Sequence, residues 1–403
     1  MNIPRGLLLQ IKCLKILGLF PVEFDGSELN LICKSPQRHA CGLALATSCF
    51  VMLFATLFCL FDSIYNTAPS HYNKTGMTFE LIATQIAGFC QITVNLCLYF
   101  GSVHSFRIIV NVIKFENKYI WKKTDNDITL CLFRWYLGIC VLCALNMIYL
   151  YIIVGNWRLM LFFQAMTYLL QMIFSGLIAV YYTSLVVILN RIMECINAQI
   201  TRNILMVQCN SNGRCLLKQV LNDRSEIIKL CESDISEFYG VPVICILACV
   251  VINAPVGPYF GLSLLEVSDV MDFHKVLLFF ISTNFIWFFQ FMFIAVMILY
   301  LDVNKVANET TRILSRISRR GNGIEKMVDK FLMKNMQQKP ILTAYGFFPL
   351  NKTTLFKIFA AIFTYMVILI QFKDMENTNK KLSTSTDLTT ITTMSSYSSV
   401  IEK

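Results

Sequence analysis

Charge is what this chain has least of. Asp, Glu, Lys and Arg make up 15% of its 403 residues and hydrophobic residues 56%, whereas a soluble domain carries about a quarter charged residues. That balance, with a mean hydropathy of +0.59, excludes an ordinary water-soluble domain and leaves a polytopic membrane protein. The net charge of +10 then reads as an orientation signal rather than a nucleic-acid surface, because membrane proteins collect Lys and Arg on the cytosolic side. Histidine is nearly missing: His39, His71, His104 and His274 are the whole set, each near the end of an apolar run. No phosphate-binding Gly loop, no Gly-x-Ser-x-Gly and no carboxylate pair inside an apolar run is present. Those absences argue against nucleotide-driven chemistry, a hydrolase elbow, proton-coupled transport and intramembrane proteolysis. The chain does not read as an enzyme, and no cofactor is expected.

Cysteine breaks the pattern, with sixteen copies. Most lie inside apolar runs, where Cys behaves as a small buried hydrophobe. Cys140 and Cys143 have the spacing of a metal pair, but no second pair or His cluster accompanies them, so no metal site is expected.

Seven apolar runs, each near the length that crosses a bilayer, cover 41–61, 79–100, 135–154, 161–189, 241–265, 276–301 and 355–372. Only helices and closed barrels satisfy their backbone groups in hydrocarbon, which predicts an all-α integral membrane protein with seven transmembrane helices. The fifth run holds Pro242, Pro255, Pro258, Gly257 and Gly261 and is expected to kink or break; the fourth is long enough to continue into the cytosol. Residues 14–21 read as a short amphipathic helix lying on the membrane, not as part of a cleavable signal. Ile227, Cys231 and Ile235, and likewise Ile313 and Ile317, recur at helical spacing in the long inner loops, predicting helical cytosolic extensions. The Ser/Thr-rich segment after Asp374 lacks apolar periodicity and reads as irregular. No internal repeat is seen.

Lys and Arg concentrate on one side: five between Arg5 and Arg38, six between Arg107 and Arg134, six between Arg191 and Lys229, and ten between Lys305 and Lys352. The opposite short loops hold only Lys74, Arg158 and Lys275. The bias places the N-terminus in the cytosol, and an odd number of spans then places the C-terminus outside the cell. The resulting division is a cytosolic segment 1–40, helices one to six over 41–301 with a ligand-binding outer half, a cytosolic helical loop 302–354, a last helix 355–372 and an extracellular tail 373–403. Of three glycosylation sequons, at Asn73, Asn308 and Asn351, only Asn73 reaches the outside in this topology.

Uncharged polar residues inside the runs are the remaining candidates. Gln164, Tyr168 and Gln171 share one helix face, Asn284 and Trp287 share another, Gln85, Gln91 and Asn95 lie in the second run, and Asn253 lies in the fifth. Each could supply an interhelical hydrogen bond; as a set they suit a small-molecule pocket of aromatic walls and a few polar groups. Gln371, closing the last run, is either an interfacial cap or a functional amide.

The last run also carries a family resemblance. Thr364-Tyr365, five apolar residues and Gln371-Phe372 resemble the closing signature of insect gustatory receptors. Residues Ala344 to Asn351 followed by Thr354-Leu355-Phe356, and Leu17 to Pro21, are similar to other segments of that family. The resemblance implies a plasma-membrane, ligand-gated cation channel, a homo- or hetero-tetramer opened by a small-molecule tastant. Four copies of the last helix would line the pore, with Thr364, Ile368, Gln371 and Phe372 at pore and gate and Phe372 as a hydrophobic gate. Sugar-type members carry Glu after the Thr-Tyr; Met366 stands here, pointing to fructose-type or bitter-type ligands. The alternatives are a G-protein-coupled chemoreceptor, which needs the opposite topology, and a multi-pass transporter, which needs embedded charges or repeats.

Overall fold

The computed structural model describes residues 3–24, 31–32, 35–65, 74–120, 127–154, 159–207, 212–255, 303–317, 328–329, 331, 333 and 342–401. The sixth apolar run, 276–301, and with it Asn284 and Trp287, lies outside the described residues, as does Asn73. The elements in chain order are α1 (Arg5–Ile16), a hairpin of β1 (Glu23–Phe24) and β2 (Leu31–Ile32), α2 (Ser35–Tyr65), α3 (Lys74–Phe100), α4 (Ser102–Tyr119), α5 (Ile128–Val154) and α6 (Leu159–Val207). There follow α7 (Asn212–Lys229), a π-turn (Leu230–Ile235), α8 (Ser236–Asn253), α9 (Val303–Ile317), a hairpin of β3 (Thr343–Ala344) and β4 (Phe348–Pro349), and α10 (Lys352–Ile401). Five described segments are long and apolar enough to cross a membrane, and a bent pair, Gln85–Phe100 with Ser102–Tyr119, makes up to six.

Helix α6 is the central post. Its membrane-length window is 83% buried within the chain, against 11% for that of α10, and α2, α4, α5, α7 and α9 all pack on it. An apolar helix buried all round belongs inside a bundle, whereas one exposed all round needs lipid or another chain to cover it. As expected, α6 runs well past the length of one span, over 49 residues.

The segment read as a surface helix is instead docked into the protein. Helix α1 ends at Ile16, and Gly18 (φ 78°) reverses the chain. Leu19 N–H donates to Leu14 O at 2.8 Å and Gly18 N–H to Lys15 O at 3.0 Å, the paired bonds of a Schellman stop. Leu7, Ile11 and Leu14 are buried, and Gln10 Nε2 donates to Ser184 Oγ (2.9 Å) and to Thr129 O (3.3 Å). The helix thus lies upstream of the expected 14–21, overlapping it only at Leu14–Ile16, and its apolar face meets α5 and α6 rather than lipid.

Asp127 ties α1 to the start of α5. Its carboxylate accepts from Gly6 N–H (3.1 Å), Thr129 N–H (3.1 Å), Thr129 Oγ1 (2.5 Å) and Leu130 N–H (3.4 Å), the work of a helix N-cap. Partial burial pushes its pKa up, but the bonds from Thr129, Gly6 and Leu130 outweigh burial and hold it below the usual carboxylate range.

One helix is added and one expectation changes. After Gly101 the chain bends by 67° and continues as α4, whose Ile108, Ile109, Val112 and Ile113 are buried. A side chain at Gly101 could not fit, since a Cβ there would lie 2.0 Å from Phe238 Cε2. The fifth run is interrupted as expected, though not at Pro242, which is carried inside α8: the helix ends at Asn253, ahead of Pro255. A further irregularity sits upstream, in the π-turn, where Ser236 Oγ donates to Cys231 O at 2.8 Å. Finally, the tail after Asp374 is not irregular: α10 continues through Ile401. No Gly or Pro occurs between Lys352 and Ile401 to interrupt it.

Candidate functional site

The closing helix starts from a defined geometry. Asn351 Oδ1 accepts Thr354 N–H at 2.9 Å and Thr354 Oγ1 at 3.1 Å, so the asparagine of that sequon is the N-cap of α10. Before it, Tyr345 (φ 49°) and Gly346 (φ 77°) both occupy the left-handed region, and Phe347 N–H donates to Ala344 O at 2.9 Å. Two successive positive φ values make the tight turn that joins β3 to β4. Thr343 N–H donates to Ser236 Oγ at 3.2 Å, which fastens the hairpin to the first turn of α8.

On α10, Ile362, Leu369 and Lys373 are buried. They fall at i, i+7 and i+11, one stripe of the helix, and α10 packs on α3 and α8 of its own chain. Thr364, Ile368, Gln371 and Phe372 are exposed, Ile368 by 40% and Phe372 by 48%. At 3.6 residues per turn Thr364, Ile368 and Gln371 lie on the opposite side of the helix from the buried stripe, and Phe372 lies on its flank. Thr364, Ile368, Gln371 and Met375 follow one another at i, i+4, i+7 and i+11, a continuous seam. The four residues singled out at pore and gate are thus all exposed, and nothing among the described residues covers them.

The polar candidates divide. Gln85 Nε2 donates to Thr56 O at 2.6 Å, an interhelical bond between α3 and α2. Gln91 Nε2 donates to Asn95 Oδ1 at 2.9 Å within α3. Gln171 and Asn253 are buried, and among the described residues Gln171 Nε2, Asn253 Oδ1 and Asn95 Nδ2 have no hydrogen-bond partner. Gln171 Nε2 lies 4.0 Å from the place a Cβ on Gly88 would take. One turn before Asn253, Cys249 Sγ donates to Ala87 O at 3.8 Å. Helix α6 therefore brings an underused amide beside Gly88 of α3, and α8 meets the same stretch through Cys249, one turn before Asn253. Gln164 and Tyr168 lie on α6, but their side chains fall outside the described part.

A second polar cluster escaped the sequence reading. Ser105 Oγ lies 2.6 Å from Tyr239 Oη and 3.0 Å from Tyr181 Oη, and Tyr239 Oη donates to Tyr181 Oη at 3.2 Å, all buried. Three hydroxyls from α4, α6 and α8 thus satisfy one another. No spacing signal could have found them, because each sits alone on its helix. Elsewhere, Asp223 of α7 accepts from Lys118 and Tyr119 of α4, and Asn197 of α6 accepts from Thr310 Oγ1 while donating to Val306 O. Among the described residues no group of three His, Cys, Asp or Glu is placed to hold a metal ion.

These features define a mostly helical, multi-pass membrane protein whose closing helix is largely exposed among the described residues. The model of the 7tm chemosensory receptors matches residues 8–376. The Drosophila melanogaster gustatory and pheromone receptor 39a, isoform A, is 32% identical over 94% of this chain and 98% of its own; isoform D is 27% identical over 95% and 99%. The solved structure of the insect olfactory receptor OR5 from Machilis hrabei in complex with eugenol superposes with a TM-score of 0.64, covering 91% of this chain and 97% of that one at 10% identity. This chain belongs to the 7tm chemosensory receptor family, as a member of the insect gustatory receptors.

Proposed function

We propose that this receptor is a ligand-gated cation channel of the plasma membrane, assembled from four subunits around a pore lined by α10. The observation that carries the reading is the two-sidedness of α10. Ile362, Leu369 and Lys373 are buried against its own chain, while Thr364, Ile368 and Gln371 face away and Phe372 stands exposed on the flank between. In this reading the N-terminus is cytosolic, the run at 276–301 supplies the remaining span, and residues 371–372 stand at the outer mouth. Phe372 gates by excluding water from a narrow apolar ring until the helices separate, and Gln371 offers its amide to passing ions. A Gln that faces a pore needs no buried partner, which resolves its place in an apolar helix.

The ligand is a small organic molecule bound between α3, α6 and α8, where Gln171 and Asn253 offer one donor and one acceptor in otherwise apolar walls. Bitter-type and fructose-type tastants fit this description, and the relatives' names add pheromones. Recording from cells expressing the chain, with G-protein signalling blocked, tests the channel. Ligand-evoked cation current that persists is expected; current that vanishes under the block would return the chain to a G-protein-coupled reading.

A further inference from the structure

The hairpin ahead of α10 has no part in the gating described above. It is fixed in place: Leu342, Ala344 and Leu350 are buried, Thr343 N–H donates to Ser236 Oγ at 3.2 Å, and Gly240 lies against the backbone of Tyr345. Its tip nevertheless presents aromatic rings outward. Tyr345 is 50% exposed and Phe347 77%, and the two rings stack with centroids 6.4 Å apart. Phe356, one turn into α10, is 74% exposed. Tyr345 holds φ at 49°, a left-handed conformation that Gly or Asn adopts at lower cost. A bulky residue kept at such a position points to a use for its side chain.

Three helices agree on the depth of this tip. On α8 the exposed Glu232 and Glu237 precede Gly240, and the apolar run starts at Val241. The membrane-length window of α10 starts at Lys352, directly after the hairpin. On α3 the apolar run closes at Phe100, and Phe238 of α8 fills the space beside Gly101. The hairpin, docked at Gly240, therefore sits where hydrocarbon gives way to headgroups, the level at which amphipathic rings such as Tyr collect. The charge fits as well. Lys352 and Lys357 are exposed, and the first turn of α10 offers them no carboxylate, although the helix dipole favours one there. Lipid phosphates supply the missing negative charge.

We infer that the tip formed by Tyr345, Gly346 and Phe347, with Phe356, Lys352 and Lys357, is a docking surface for the phospholipid headgroup layer. The rings enter the glycerol and upper acyl region, and the two lysines pair with phosphates. In the orientation proposed above this is the cytosolic leaflet. The inference rests on depth and charge and stands whether or not the protein conducts ions. Because Asn351 at the foot of the hairpin caps α10, lipid bound to the tip holds the start of that helix at a set depth.

The test introduces p-benzoylphenylalanine in turn at Tyr345, Phe347, Leu145 and Glu232 of the full-length receptor, in nanodiscs of phosphatidylcholine and phosphatidylglycerol. Leu145 is exposed on the apolar α5, and Glu232 is exposed on the water side of Gly240. After ultraviolet light, mass spectrometry of the digested protein should find phospholipid adducts at Tyr345 and Phe347, as at Leu145, and none at Glu232. Hydroxyl-radical footprinting of the unsubstituted receptor guards against variants that misfold: Tyr345 and Phe347 should lose most of their oxidation in nanodiscs relative to the unfolded chain. Crosslinks from both positions to a second receptor chain would overturn the inference by making the tip a subunit contact. Full oxidation of both rings with no lipid adduct would overturn it by leaving the tip in water.

Discussion

Gly240 lies against the backbone of Tyr345: a Cβ on the glycine would meet the tyrosine amide nitrogen at 2.4 Å. The contact brings the hairpin that precedes α10 flat onto α8. Neither atom at that contact is the end of a flexible side chain, so any larger residue moves the hairpin or the helix. Gly240→Ala is expected to lower the melting temperature of the purified receptor, at a cost of about 1–3 kcal/mol. Gly138→Ala is the control, since a Cβ there meets nothing within 4 Å. It should be neutral, or stabilising by up to about 1 kcal/mol. Equal melting temperatures for the two variants would show that the packing of the hairpin is not tight.

The hydroxyl cluster predicts a second effect on stability. Tyr239→Phe removes the group that meets both Ser105 and Tyr181 and leaves their buried hydroxyls with one partner fewer. Thermal unfolding in detergent should show a loss of about 1–3 kcal/mol. The same exchange at exposed Tyr365, which is half accessible, should change it little.

Asp127 predicts a pH dependence. Its folded pKa is depressed, so the unfolded chain binds the proton more readily. The carboxylate therefore contributes stability above the unfolded value of about 3.9, and loses it as the pH falls through the lower, folded value. Asp127→Ala should melt earlier than the wild type at pH 7, and the gap should shrink on acidification below about pH 4. A gap constant across that range would show that the carboxylate's charge contributes nothing.

At the outward face of α10, Phe372→Ala should raise resting current by widening the apolar constriction. Gln371→Ala should alter unit conductance or selectivity while leaving surface expression normal. Both are read by patch recording with surface biotinylation. Unchanged currents in both variants at normal surface levels would remove these residues from the pore.

The proposed topology predicts that glycan-shifted mobility disappears with Asn73→Gln and not with Asn308→Gln. The inverted pattern would reverse the membrane orientation. Asn351 is not a neutral control, because replacing it also removes the cap of α10.

Helix positions were legible because hydropathy and length report directly on the solvent around a segment: the runs at 41–61, 79–100, 135–154 and 355–372 lie within α2, α3, α5 and α10. What surrounds each helix was not, because periodicity names an apolar face and not its partner. Residues 14–21 show this: the helix there is the end of Arg5–Ile16, it stops before Gly18, and it is covered by protein rather than lipid. Helix α4 was missed because its charges, Arg107 to Lys118, masked the buried stripe of Ile108, Ile109, Val112 and Ile113. Among the candidate site residues, Gln371 stands out as an amide closing an apolar run, while the pore and gate roles of Gln371 and Phe372 are what the family resemblance implies. Whether Gln85 or Gln171 had a spare hydrogen bond depended on Thr56 and Gly88, residues on other helices or turns that no local pattern connects.

The bend at Gly101 sets a mechanical ratio. Helix α4 extends 18 residues beyond it, roughly 27 Å at about 1.5 Å per residue. Each degree of rotation about the bend sweeps the Tyr119 end through about 0.5 Å at that length. That end holds Asp223, so angular play at one glycine becomes ångström-scale displacement of α7.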